Sequence, residues 1–273
     1  MGACAARAAS PQSFFAGIVP AGRSTGNAVE AFWNHCDEVS ALGFHHMEFN
    51  NTRAQIAEAY LDRVPVFRNE MTRRNLKLAG LALFSHAAER DAPVEQHMRL
   101  GRFLEAAGGK YITHMIAPGE ALNESTDEAA YRALDWKQWA ANANQIGKRL
   151  IGEYGIKLAY HPEQGEVRTG IYRPFLESTD PRYVFFLPDT GHLAAGGADP
   201  VELCKAYRTR LVCVHLKDFK AAKPGDVTFG EGVVNLSGVI SALKGFTGYV
   251  MGESGGTNPS MRDYMTGPLG MTL

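Results

Sequence analysis

The sequence predicts a single (β/α)8 TIM barrel over residues 1–273, with an irregular N-terminal segment of about twelve residues. Three observations carry this. Eight short apolar runs alternate with longer amphipathic stretches almost from end to end, and several are continuous, as parallel strands buried on both faces require. The length of 273 residues suits one barrel of about 250. No Pro/Gly/Ser stretch is long enough to separate two cores. The loop after the first run, Val19-Pro20-Ala21-Gly22-Arg23-Ser24, lacks the glycine spacing of a doubly wound nucleotide-binding sheet.

The predicted strands are 14–19, 46–49, 78–84, 111–116, 156–161, 183–187, 211–216 and 249–252. Between them helices are expected near 27–41, 54–74, 94–107, 136–154 and 236–243. The clearest is 136–154, where Trp136, Trp139, Ala140, Ala143, Ile146, Leu150, Ile151 and Tyr154 share one face at helical spacing. Gly155 stands where a helix commonly ends. Another begins at Asp199-Pro200-Val201-Glu202, with a capping aspartate and a proline suited to the first turn.

The chain is 45% hydrophobic and 21% charged, with 28 basic and 29 acidic residues. A net charge of −1 gives no electrostatic reason to expect nucleic acid or a membrane surface as partner. The four cysteines, Cys4, Cys36, Cys204 and Cys213, include no CxxC pair. Cys213 lies in an apolar run, where a thiol behaves as a small hydrophobe. A reducing cytoplasm is the simplest compartment. Neither a signal-peptide core nor a membrane span of about 20 apolar residues is present.

In such a barrel the active site lies at the C-terminal ends of the strands, so polar residues ending the apolar runs are the candidates. Strand two ends in Glu48-Phe49-Asn50-Asn51, strand three leads into Ser85-His86, and strand four contains His114. Strand five ends in Tyr160-His161-Pro162-Glu163 and strand six in Asp189-Thr190-Gly191-His192. Strand seven ends in His215-Leu216-Lys217-Asp218 and strand eight in Glu253-Ser254. Each residue alone has an ordinary reading: Asp189 as a helix cap, His215 as a core histidine. Four successive strands ending in a carboxylate or imidazole converge on one point. Buried acids in such a crowd need a cation. Oxygen donors with an imidazole and no thiolate suit one divalent ion, Mn, Mg, Co or Zn.

These phrases, with Gly43-Phe44-His45-His46-Met47-Glu48-Phe49 and Phe229-Gly230-Glu231-Gly232, resemble the xylose isomerase-like barrel superfamily. That superfamily includes sugar isomerases, ketose 3-epimerases, inosose dehydratases, dehydroshikimate dehydratases and endonuclease IV. The resemblance implies a metal set of Glu, Asp, His and Glu from strands five to eight, matched here by Asp189, His215 and Glu253. On strand five, many relatives carry a glutamate where Ala159 and Tyr160 stand. Inosose dehydratase-like relatives resemble Tyr-His-Pro-His, and this chain has Glu163 for the second histidine. Glu163 is the expected ligand and His161 the alternative.

The expected activity is isomerisation or epimerisation of a small keto-sugar or polyol-derived carbonyl compound. Glu163 or Glu253 removes a carbon-bound proton, and the ion stabilises the enediolate. The alternative is a dehydratase in which His161 or Lys217 protonates a departing hydroxyl. Glu48, His114 and His192 are expected to bind substrate. A structural ion pair with Asp218 is the ordinary reading of Lys217. Further readings are a phosphodiesterase, with His86 and His114 as extra ligands, and a non-catalytic sugar-binding protein. Glu166 is expected to be solvated, and His35, His45 and His97 are expected to play no part. The Phe229–Gly232 turn either places Glu231 over the site or is a plain loop. Whether the chain forms a homo-oligomer is open.

Overall fold

The computed structural model describes residues 12–20, 28–49, 54–86, 92–117, 128–221, 227–253 and 257–273. Most of the expected irregular N-terminal segment lies outside these residues. Eight parallel strands are present among them: β1 (Phe15–Val19), β2 (His46–Phe49), β3 (Lys77–His86), β4 (Tyr111–Ala117), β5 (Lys157–Tyr160), β6 (Val184–Phe186), β7 (Cys213–Leu216) and β8 (Tyr249–Glu253). Their order, β6-β5-β4-β3-β2-β1-β8-β7, joins the first strand to the last. Two isolated bridges, Phe186↔Leu211 and Asp189↔His215, link β6 to β7. This seam is narrow because Pro188 has no N–H to donate, although its carbonyl accepts from His215 N at 3.0 Å. The barrel is therefore nearly closed, as the alternating pattern predicts.

The helices outside are α1 (Ala28–Ala41), α2 (Ala54–Ala59), α3 (Val64–Arg73), α4 (Ala92–Ala107), α5 (Glu128–Arg132), α6 (Trp136–Tyr154), α7 (Gln164–Thr169), α8 (Tyr172–Ser178), α9 (Thr190–Ala195), α10 (Pro200–Ala206), α11 (Leu236–Ala242) and α12 (Asn258–Thr266). The expected helix over 54–74 is two helices. Pro65 sits in the first turn of α3, where it is tolerated; a continuous helix would set its ring against the carbonyl four residues back. Helix α6 runs as predicted, capped by Asp135 and ended by Gly155 with φ 66°. Asp199 caps α10 through Val201 N and Glu202 N.

Strand residues alternate between two cores. Ala79, Tyr111, Ala159, Cys213 and Met251 fill the barrel interior. Ile18, Ile112, Leu158, Tyr160, Val214 and Val250 pack outward against the helices. This period of two decides which strand-end side chains reach the mouth. Ala159 faces in and Tyr160 out, so His161 faces in. Cys213 and His215 share one face of β7, with Lys217 just past its end, and Met251 and Glu253 share one face of β8.

Candidate active site in the barrel mouth

His161, Asp189, His215 and Glu253 meet at the C-terminal end of the barrel, their ligand atoms within 4.8 Å of one another. Three are almost wholly buried, and the Glu253 side chain is 21% exposed. His161 Nε2 lies 3.8 Å from Asp189 Oδ2, and His215 Nδ1 lies 2.6 Å from Glu253 Oε2. Asp189 serves two ends at once. Its Oδ1 accepts from His192 N at 2.8 Å and caps α9, while Oδ2 points into the group with no hydrogen-bond partner. His161 Nδ1, His215 Nδ1 and Glu253 Oε2 are also buried without one. Unsatisfied buried polar atoms are costly; those of Asp189, His215 and Glu253 belong to one cluster with His161. Two nitrogens and two carboxylate oxygens fit a divalent ion by number and chemistry.

Behind this group, Glu48 is fully buried. Its Oε1 accepts from Thr113 Oγ1 at 2.7 Å, and its Oε2 accepts from Tyr111 Oη at 2.8 Å. His215 Nε2 lies 3.0 Å from the same Oε2. A carboxylate can only accept here, so Nε2 carries a proton and Nδ1 is the nitrogen turned to the group, the one an ion would take. The Tyr111 ring reaches Glu48 across Gly80, where a Cβ would stand 2.5 Å from the ring. Glu48 thus orients His215 from below instead of contacting substrate as expected.

His114 also departs from its expected place. Tyr111 and Thr113 face the interior, so His114, next after Thr113, faces out, with Nδ1 3.1 Å from His97 Nε2 on α4. Burial and His97 hold its pKa well below 6.5. It cannot bind substrate in the mouth or supply the extra ligand of the phosphodiesterase reading. His97, expected to be inert, is its buried partner. The side chain of His86 lies outside the described residues.

Glu163 stands beside the four-residue group. Its Oε1 is 3.6 Å from His161 Nδ1 and its Oε2 3.0 Å from His192 Nδ1. Of the two strand-five candidates, His161 is the one brought into the tight group. His192 Nε2 lies 2.9 Å from Lys217 Nζ, and Lys217 Nζ lies 3.9 Å from Glu253 Oε1. Burial alone would raise the Glu253 carboxyl, but Lys217 and His215 outweigh it and hold it at about 2. Burial and Lys217 press His192 down, yet Asp189 and Glu163 bring it up to about 9. Burial opposes the protonation of His215 too, and Glu48 and Glu253 raise its pKa well above 6.5.

Sequence reasoning missed Glu166, which is 1% exposed. Its Oε2 accepts from Glu163 N at 2.9 Å and its Oε1 from Tyr160 Oη at 2.6 Å. Burial pushes its carboxyl up to about 8. The spacing of Glu163 and Glu166 at the start of α7 is the capping-box signal that could have found it. Tyr111 and Thr113 were legible by alternation along the strand, on the face opposite to His114.

Residues 36–267 match the model of the xylose isomerase-like TIM barrel. The chain belongs to that family. Among its relatives, inosose dehydratase 2 of Bacillus cereus is 26% identical over 223 residues, covering 76% of this chain and 72% of that one. The inosose dehydratase of another Bacillus cereus strain is 27% identical over 241 residues, covering 81% and 78%. Among solved structures, a sugar phosphate isomerase/epimerase from Parabacteroides distasonis superposes with TM-score 0.66 at 16% identity, over 96% of this chain and 98% of that one. D-psicose 3-epimerase superposes with TM-score 0.64 at 16% identity, over 88% and 94%. At such identity the structures show the fold alone. The family is one of enzymes, with both isomerase/epimerase and dehydratase relatives. No helix among the described residues is long and apolar enough to cross a membrane.

Proposed function

We propose that this chain is a metal-dependent dehydratase acting on a small keto-polyol of the inosose type. The observation that carries this reading is the pairing of Glu253 with Lys217, 3.9 Å apart at the edge of the four-residue group. Elimination of water needs a base and an acid close together, and these two supply them. A divalent ion held by His161, Asp189, His215 and Glu253 would act as a Lewis acid on the substrate carbonyl, and the two imidazoles favour Mn, Co or Zn over Mg. Glu253 Oε1, turned toward Lys217, takes the proton from the carbon next to the carbonyl. Lys217 donates a proton to the hydroxyl one carbon further on. The C–O bond breaks, a C=C bond forms, and water leaves with that proton. His192, between Lys217 and Glu163, resupplies Lys217. The inosose dehydratase relatives, matched over three quarters of this chain or more, support the choice of substrate class.

An epimerase is the second reading, favoured by Glu163. Buried beside His161, with its Oε1 3.6 Å from His161 Nδ1, it offers the second carboxylate that proton return from another direction requires. Incubation with an inosose in D2O separates the two. Dehydration yields a product one water lighter, with a new conjugated absorbance that chelation abolishes. Deuterium uptake with epimer formation and no loss of water would overturn the dehydratase in favour of the epimerase. Full turnover in protein stripped of metal would overturn both.

A further inference from the structure

Lys217 and Asp218 are adjacent opposite charges in sequence, yet their side chains part company. Lys217 runs into the mouth toward His192. Asp218, 4% exposed, takes up backbone donors of the connection between β7 and α11. Its Oδ1 accepts from Phe219 N at 2.8 Å and Val234 N at 3.1 Å, and its Oδ2 from Gly230 N at 3.0 Å and Gly232 N at 2.9 Å. These four bonds fill the acceptor sites of one carboxylate. A Cβ on Gly232 would collide with the Asp218 carboxyl, so the turn closes directly on it. Val233 N to Phe219 O at 2.8 Å and Glu231 N to Thr228 O at 3.0 Å complete the turn. Glu231 is left exposed.

The residue this turn sends inward is Phe229. It is 5% exposed and meets Tyr264 of α12 edge-on, with ring centroids 5.8 Å apart. A Cβ on Gly252 would lie 3.7 Å from the Phe229 ring, which places the ring against the strand residue just before Glu253. One buried carboxylate therefore ties the end of β7 to the end of β8 through the turn between them.

We propose that Asp218 is a positioning residue of the active site. By fixing the 229–232 turn it seats Phe229 against Gly252, and so holds Glu253 opposite Lys217. This rests on the role proposed above for Glu253.

The test is Asp218→Asn, which exchanges an acceptor oxygen for an amide facing two N–H donors. Turnover of the keto-polyol should fall about 10- to 100-fold in kcat, the scale of a small misplacement of a reacting group, while KM and bound metal stay close to wild type. Amide exchange should quicken at residues 228–234 and 250–253. Phe229→Ala should reproduce the loss of kcat, and Phe229→Leu should restore most of it; this pair carries the test if Asp218→Asn does not fold. Asp199→Ala, which removes the cap of α10, is the control for lost stability and should leave kcat unchanged. The proposal is overturned if Asp218→Asn keeps kcat within about twofold, or if Asp199→Ala loses kcat equally. Should the wild type fail to dehydrate or epimerise keto-polyols, the functional reading falls alone. Exchange at 250–253 then decides the positioning role, and unaltered exchange in Asp218→Asn overturns it.

Discussion

Replacing Glu48 with glutamine keeps the shape of the group beneath the site and removes its charge. A glutamine can turn its oxygen toward Tyr111 Oη and His215 Nε2, the partners of Glu48 Oε2. Its amide then faces Thr113 Oγ1, the partner of Oε1, and a threonine hydroxyl accepts as readily as it donates. Every contact survives; the charge behind His215 does not. A hydrogen bond to a charged group contributes about 1.5–3 kcal/mol, and a neutral one about 1. The variant therefore loses roughly 1–2 kcal/mol of the preference that keeps the proton on Nε2 and leaves Nδ1 open. At about 1.4 kcal/mol per factor of ten, metal affinity should weaken about 5- to 30-fold. That overlaps the range of 10–100-fold for partners behind metal-bound histidines. The assay is calorimetric titration of stripped protein with Mn(II) and Co(II), with thermal unfolding in parallel. Unchanged affinity would refute the argument. So would a collapse in Tm accompanying the loss, since Glu48 would then act through the fold and not through His215. Glu48→Ala provides the contrast. It leaves two buried hydroxyls without an acceptor, at about 1–3 kcal/mol each, and should destabilise the stripped protein.

On strand five, His161→Asn should weaken metal binding more than Glu163→Gln does in the same titration; the reverse order would return the ligand role to Glu163. Glu253→Gln should lower kcat at least ~100-fold while metal analysis still finds an ion held by the other three residues; wild-type turnover would remove Glu253 from the chemistry. Glu166, at about 8 when folded against 4.5 when exposed, is held protonated by burial, so its contribution to stability is full below about pH 4.5 and is lost as pH rises to about 8. That shift corresponds to a penalty of up to about 5 kcal/mol above pH 8. Denaturant unfolding of Glu166→Gln, which stays neutral, should show a flatter pH dependence than wild type across this window; parallel curves would disprove the burial argument.

By itself the sequence determined the barrel and the end of it that matters. Eight apolar runs separated by amphipathic stretches have few other ways to bury both faces of a sheet, and each run records locally where its strand ends. Asp189, His215 and Glu253 were legible for that reason, as residues just past or within the last turn of a buried strand. The split of residues 54–74 into two helices was also written there, in Pro65. Which side chain faces inward at a strand end was only half legible. Alternation from Ala159 points His161 into the mouth, and the same count turns His114 away from it. What only the tertiary structure decided are contacts between distant strands. Glu48 and His215 lie 167 residues apart and meet because closure of the sheet brings β2 and β7 across one interior. Asp218 and Lys217 are neighbours in sequence and diverge because one faces the mouth and the other the turn. No local pattern records such pairings, since the cost of burying a carboxylate is offset by donors that the folded barrel alone supplies.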